Sequence, residues 1–153
     1  TTPEARGTPA TDPLVIGQIA LLREATILAV VHPNCWGAPP AMMKGWMDRV
    51  FAHGAAYAFP KSRDAGEAPF GMLTTKAALV LNTCNTAEER ESTEFGDPLD
   101  RLWCDCLLRY RGVRNIERRV FRVVANSSYR ERRDWLREAC QLANEAVRRT
   151  QNS

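Results

Sequence analysis

Two segments of this 153-residue chain gather side chains that could do chemistry, Pro33 to Pro40 and Asn82 to Glu88. The first reads Pro-Asn-Cys-Trp-Gly-Ala-Pro-Pro and the second Asn-Thr-Cys-Asn-Thr-Ala-Glu. Each carries a thiol, but a thiol becomes a nucleophile only where a neighbouring cation lowers its pKa. Neither Cys35 nor Cys84 has a His or Lys beside it in sequence, so thiol catalysis is unsupported. Cys104 and Cys106 stand one residue apart, not at the two-residue spacing of a redox or zinc pair. With only His32 and His53 to add to them, no metal site is expected. Five cysteines make an odd count without disulfide-scaffold density, which reads as reduced thiols. Judged alone, Trp36 reads as an ordinary core or interface residue, Tyr57 and Phe59 as packing residues, and His53 as a surface histidine.

The elements that must position these segments follow from pattern. Residues 1–12 are rich in Thr, Pro, Ala and Gly and read as a loop or tail. Asp12-Pro13 is an N-cap followed by proline at the first helical position, opening a helix to about Glu24 with Leu14, Ile16, Ile19, Leu21 and Leu22 on its apolar faces. Thr26 to Val31 is a continuous apolar run, as in a strand buried on both faces. A helix from about Pro40 to Phe51 carries Met42, Met43, Trp46, Met47 and Val50 as its stripe. His53 to Thr75 has weak periodicity and reads as a long loop. Ala77 to Leu81 is a second buried strand, with Asn82 to Thr86 as a polar turn. Asp97-Pro98 caps a further helix to about Tyr110, closed by Gly112. Ile116 to Val124 reads as a strand near the sheet edge, and Ser128-Tyr129-Arg130-Glu131 as a capping box opening a helix to about Arg149.

The order is therefore αβαβαβα over residues 13–150, in one domain spanning 1–153. It predicts an α/β, doubly wound parallel sheet with helices on both faces. In such sheets ligands bind beyond the carboxyl ends of the strands, and the two chemistry-bearing loops occupy that position. Bulk composition narrows the partners. Eighteen arginines and three lysines give a net charge of +3. The C-terminal arginines are interleaved with Glu117, Glu131, Asp134 and Glu138, a salt-bridged solvated surface and not a nucleic-acid patch. No apolar run reaches membrane-spanning length and no signal peptide is apparent, so cytoplasmic residence is the default.

Read as one motif, Pro33, Trp36, Pro40-Ala41, Lys44-Gly45, Trp46 and Asp48-Arg49-Val50-Phe51 resemble the signature of the flavodoxin-like NAD(P)H:quinone oxidoreductases at the family spacing. Ala56-Tyr57 before Phe59 matches that family's substrate-pocket wall, and Lys76-Ala77-Ala78-Leu79 matches a strand leading to a Thr-containing turn. Asn82 through Glu94-Phe95-Gly96-Asp97-Pro98-Leu99 is similar to a bacterial branch of it. The resemblance implies FMN or FAD as cofactor, NAD(P)H as donor and a quinone-type acceptor. It implies that Pro33, Asn34, Cys35, Trp36 and Gly37 form one wall of the flavin-ring site, and that Asn82, Thr83, Cys84 and Asn85 bond its pyrimidine end. Tyr57 and Phe59 would contact substrate, no residue would act as nucleophile, and a homodimer would complete the site. The flavin would carry the chemistry and backbone N–H groups would tune it.

This chain departs from the pattern in three places. Gly37 replaces a common aromatic, thinning the wall, and Cys84 and Asn85 stand where two glycines are common. The family's first strand, flavin-phosphate loop, helix and second strand do not precede Thr1, so the fold is expected to be N-terminally incomplete. The run Thr26 to Val31 is then expected to need a second strand neighbour. The competing expectation is a non-enzymic flavodoxin-like ancillary subunit, such as those of potassium-efflux systems.

Overall fold

The computed structural model describes residues 10–60 and 68–151. Asp12 caps the first helix, α1 (Pro13–Glu24), its carboxylate accepting from the Leu14 N–H at 2.9 Å. The chain then forms β1 (Ile27–Pro33) and α2 (Ala41–Val50). A short antiparallel pair, β2 (Tyr57–Ala58) and β3 (Phe70–Gly71), follows within the segment read as loop. Next come β4 (Ala77–Thr83) and α3 (Glu88–Arg90), which continues as a π-helix over Glu91–Phe95. Asp97 caps α4 (Pro98–Asp100), prolonged by a π-helix Arg101–Leu108 and a 3-10 turn Arg109–Arg111, and closed by Gly112 at φ 98°. Strand β5 (Asn115–Phe121) and α5 (Tyr129–Gln151) complete the order. Among the described residues no helix is long and apolar enough to cross a membrane.

The main sheet runs β1-β4-β5, all parallel, with Ile27 paired to Ala77 and Ala77 to Asn115. Side-chain alternation divides β4 between two layers. Ala78 and Val80 face a core of Leu22, Val30, Met47, Val50, Trp103, Leu107 and Leu108, contributed by α1, β1, α2 and the π-helix that prolongs α4. Leu79 and Leu81 face the other way and, with Phe121, meet Trp135, Ala139 and Leu142 of α5. The doubly wound α/β arrangement is the one the pattern predicts, with β4 at its centre.

Five local expectations are corrected. Strand β1 is buried on one face only, because α5 lies over β4 and β5 and leaves Val31 65% exposed. It also runs on through His32 and Pro33 instead of ending before the proline. Helix α1 buries Val15 and Leu22, with Ile19 packed beside them, while Leu14, Ile16 and Leu21 face outward. Asn82 and Thr83 belong to β4 and not to the turn after it. Strand β5 stops at Phe121 because Val123 takes φ 55° and swings Val124 back to donate to the Cys84 carbonyl at 3.1 Å. The tail residues 1–9 lie outside the described residues.

Candidate functional site

The parallel β1 and β4 end side by side at Pro33 and Thr83, and a cleft of about 440 Å³ opens between the loops that leave them. That volume falls in the range of small-molecule sites. Its first wall is a two-residue hairpin. Cys35 and Ala38 exchange backbone hydrogen bonds of 2.9 and 3.1 Å around Trp36 and Gly37, at φ 57° and 75°. Positive φ at both central positions is the type I′ geometry that favours Asn and Gly, so an aromatic residue there is strained by about 1–3 kcal/mol. Asn34 anchors the hairpin. Its N–H donates to the Thr83 carbonyl at 2.7 Å, its side-chain oxygen accepts from Gly37 N–H at 2.8 Å, and its amide nitrogen donates to the buried Glu91 at 3.2 Å. Trp36 itself is 104% exposed, its ring held out at the cleft edge with no packing beneath it.

The second wall is the segment after β4. Cys84 N–H donates to the Phe121 carbonyl at 3.0 Å, and the Asn85 side chain accepts from Ala125 N–H at 2.9 Å. The backbone N–H groups of Asn85 and Thr86 donate to nothing among the described residues. Arg90, Glu91, Phe95 and Pro98 close the cleft from the α3–α4 side, with the Arg90 guanidinium over the Phe95 ring.

Of the residues expected in the site, Asn34, Trp36, Gly37, Cys84 and Asn85 line this cleft. Pro33, Cys35, Asn82 and Thr83 lie behind it, in the strand ends and the base of the hairpin. Asn82 is 0% exposed and its side chain is committed inward. Tyr57 and Phe59 are elsewhere: they cluster with His53 at 5.7–5.8 Å between ring centroids, and Arg111 stacks on Tyr57 at 4.1 Å.

Beneath the cleft runs a polar chain that sequence reasoning did not assemble. His32 Nε2 accepts from Trp103 Nε1 at 2.7 Å and from Asn82 Nδ2 at 3.1 Å. Indole nitrogen can only donate, so Nε2 carries no proton and Nδ1–H donates to the Pro33 carbonyl at 2.8 Å. Burial, assisted by the nearby Arg118 charge, holds the His32 pKa below the ordinary 6.5. Asn82 Oδ1 accepts from Arg118 Nε at 3.0 Å, and Arg118 grips Asp97 with two bonds of 2.7 and 2.9 Å. Arg122 stands 3.8 Å from Asp97 and 3.7 Å from the Cys84 sulfur. The one available signal was Arg118 itself, a charge at an inward position of an alternating strand. Cys104 is a thiol to set aside: burial, then a bond to Asp100, pushes its pKa up to about 12.

A family model described as flavodoxin-like fold matches residues 2–143. The chain is 38% identical over 84 residues to human ribosyldihydronicotinamide dehydrogenase [quinone], covering 54% of this chain and 34% of that protein. It is 27% identical over 101 residues to FMN-dependent NADH:quinone oxidoreductase of Cereibacter sphaeroides, covering 65% and 46%. It therefore spans a third to a half of these curated relatives. The solved NAD(P)H:quinone oxidoreductase of Methanothermobacter marburgensis superposes with a TM-score of 0.72 at 24% identity, over 89% of this chain and 66% of that one.

Proposed function

The chain belongs to the flavodoxin-like fold family, and from that premise we propose that it is a flavin-dependent NAD(P)H oxidoreductase passing hydride through FMN or FAD to a quinone or similar acceptor. The observation that carries this reading is the cleft at the carboxyl ends of β1 and β4. A flavin ring needs an apolar plane and hydrogen-bond donors at its polar edge. Trp36, Phe95 and Pro98 supply apolar surface, and the unpaired N–H groups of Asn85 and Thr86 supply donors. The residues present fit the group.

When bound, the flavin supplies the hydride-accepting and hydride-donating ring, so this chain needs no nucleophile. Its own residues orient. Asn34, Trp36, Gly37, Cys84 and Asn85 would hold the ring, while Pro33, Cys35, Asn82 and Thr83 shape the loops from behind. FMN is the preferred flavin on the name of the Cereibacter sphaeroides relative. Tyr57 and Phe59 stand off the cleft, and would meet the acceptor at the site of a second copy in a homodimer. A single domain over 1–153 and a cytoplasmic location complete the proposal, the latter in keeping with five free cysteines.

Titration of the purified chain with FMN, then FAD, followed by flavin fluorescence, tests the cofactor. Oxidation of NADH or NADPH with a soluble quinone tests the reaction. Saturable flavin binding and quinone-dependent oxidation are expected. A colourless protein that neither binds flavin nor oxidises either nucleotide would overturn this reading in favour of a non-enzymic ancillary subunit.

A further inference from the structure

Arg118 is a costly residue for its place. Its side chain is only 10% exposed, on the face of β5 that packs toward Trp103 and His32. An apolar side chain of similar volume at such a site is commonly as stable or more so. What an apolar side chain cannot do is hold polar partners from two elements in one plane. Arg118 does so: Nε reaches Asn82 on β4, and the other two nitrogens grip Asp97, the cap of α4. Asp100 stands 3.5 Å away on the same side.

Both arms lead to the Trp36 hairpin. Asp97 sits at φ 45° next to Pro98, whose ring carbon is 3.2 Å from where a Cβ on Gly37 would stand. The hairpin therefore packs closely on the residue after Asp97. On the other arm, Asn82 donates to His32, and His32 donates to the carbonyl of Pro33, where the loop leaves β1. Trp36 needs such support, because φ 57° is unfavourable for it and its exposed ring contributes no packing.

We propose that Arg118 is a positioning residue that holds the Trp36 hairpin in its strained form, with the ring presented at the cleft. It acts through Asp97–Pro98 on one side and Asn82–His32–Pro33 on the other. The consequence for flavin rests on the function proposed above; the consequence for the hairpin does not.

Amide hydrogen exchange measured by NMR separates the two. In Arg118→Lys, which keeps the charge and loses the fork, the Cys35, Gly37 and Ala38 amides should exchange at least about tenfold faster. Leu79 and Leu81 amides in β4 should keep their protection. Asp97→Asn, nearly isosteric, should do the same and decides the matter if Arg118→Lys does not fold. Riboflavin, which carries the ring without the phosphate, should bind about tenfold more weakly to both variants. Unchanged exchange at Gly37 and Ala38 in a folded variant overturns the proposal. So does equal acceleration in β4, which would make Arg118 merely structural. A wild-type chain that ignores riboflavin would count against the flavin reading, while the exchange data would still judge Arg118.

Discussion

Replacing Trp36 with glycine separates the strain of its hairpin from the work of its ring. Glycine takes positive φ freely, and a fully exposed indole contributes no burial to lose. Trp36→Gly should therefore gain on the order of 1 kcal/mol, seen as a Tm higher by about 3 °C, while flavin affinity falls. A lower Tm with flavin affinity intact would show that the ring serves the fold. His32 offers a test in pH. Its folded pKa lies below its unfolded one, so above pH 6.5 both states are neutral and it imposes no penalty. Below pH 6.5 the unfolded chain takes up a proton that the folded chain resists, and stability falls with pH down to the lowered folded value. Urea titrations at pH 7.5 and 5.5 should show this loss in the wild type, and a smaller one in His32→Gln. At this scale the sequence was half legible. Motif spacing brought out Asn34, Trp36, Gly37, Cys84 and Asn85, which do line the cleft. His32 and Arg118 enter through contacts between residues 36 to 71 positions apart, which no local pattern records.

The helix boundaries were the easiest elements to read, because caps are local. Ser128 and Glu131 bond each other as the capping box requires, with Glu131 N–H to Ser128 Oγ at 3.2 Å and Ser128 N–H to the Glu131 carboxylate at 2.7 Å. The Ser128 hydroxyl, which also donates to that carboxylate at 2.7 Å, and then the Ser128 N–H hold the Glu131 carboxyl below its usual pKa. Ser128→Ala should fray the first turn of α5 and lower Tm by about 3 °C in a thermal scan. Strand faces were harder, since an apolar run does not say which neighbours cover it; β1 and Val31 show this. The β2–β3 pair left no periodicity at two residues per strand, yet it is tightly specified. A Cβ on Gly71 would fall 2.1 Å from the Arg111 backbone carbonyl carbon. Gly71→Ala should thus cost at least about 1–3 kcal/mol in urea unfolding. An unchanged urea midpoint would mean that the pair does not dock on the end of α4.

At the scale of the molecule, the described sheet ends on β1 at one edge and on β5 at the other. Among the described residues β1 has a hydrogen-bonded neighbour on one side only. A groove of about 640 Å³ runs along it, lined by Leu28 through Pro33 with Met42, Met43 and Trp46 of α2. The apolar stripe of α2 is mostly covered: Met47 is buried and Met43 and Trp46 pack against the core, leaving Met42 at 88% exposure. What remains for association is Met42 with Val31 and the unpaired edge between them, a combination that natural sheets usually blunt with charge. The proposed homodimer should use this side. Sedimentation across the micromolar range should then give a species heavier than one chain, its share rising with concentration. Val31→Lys places a charge on the open edge at a site with little packing to lose, so it should shift the distribution toward monomer and leave Tm nearly unchanged. A clean monomer at every concentration would remove the homodimer. A dimer indifferent to Val31→Lys would keep it and move its interface off this edge, toward the His53, Tyr57 and Phe59 cluster, where the aromatic rings already stand exposed or half-exposed.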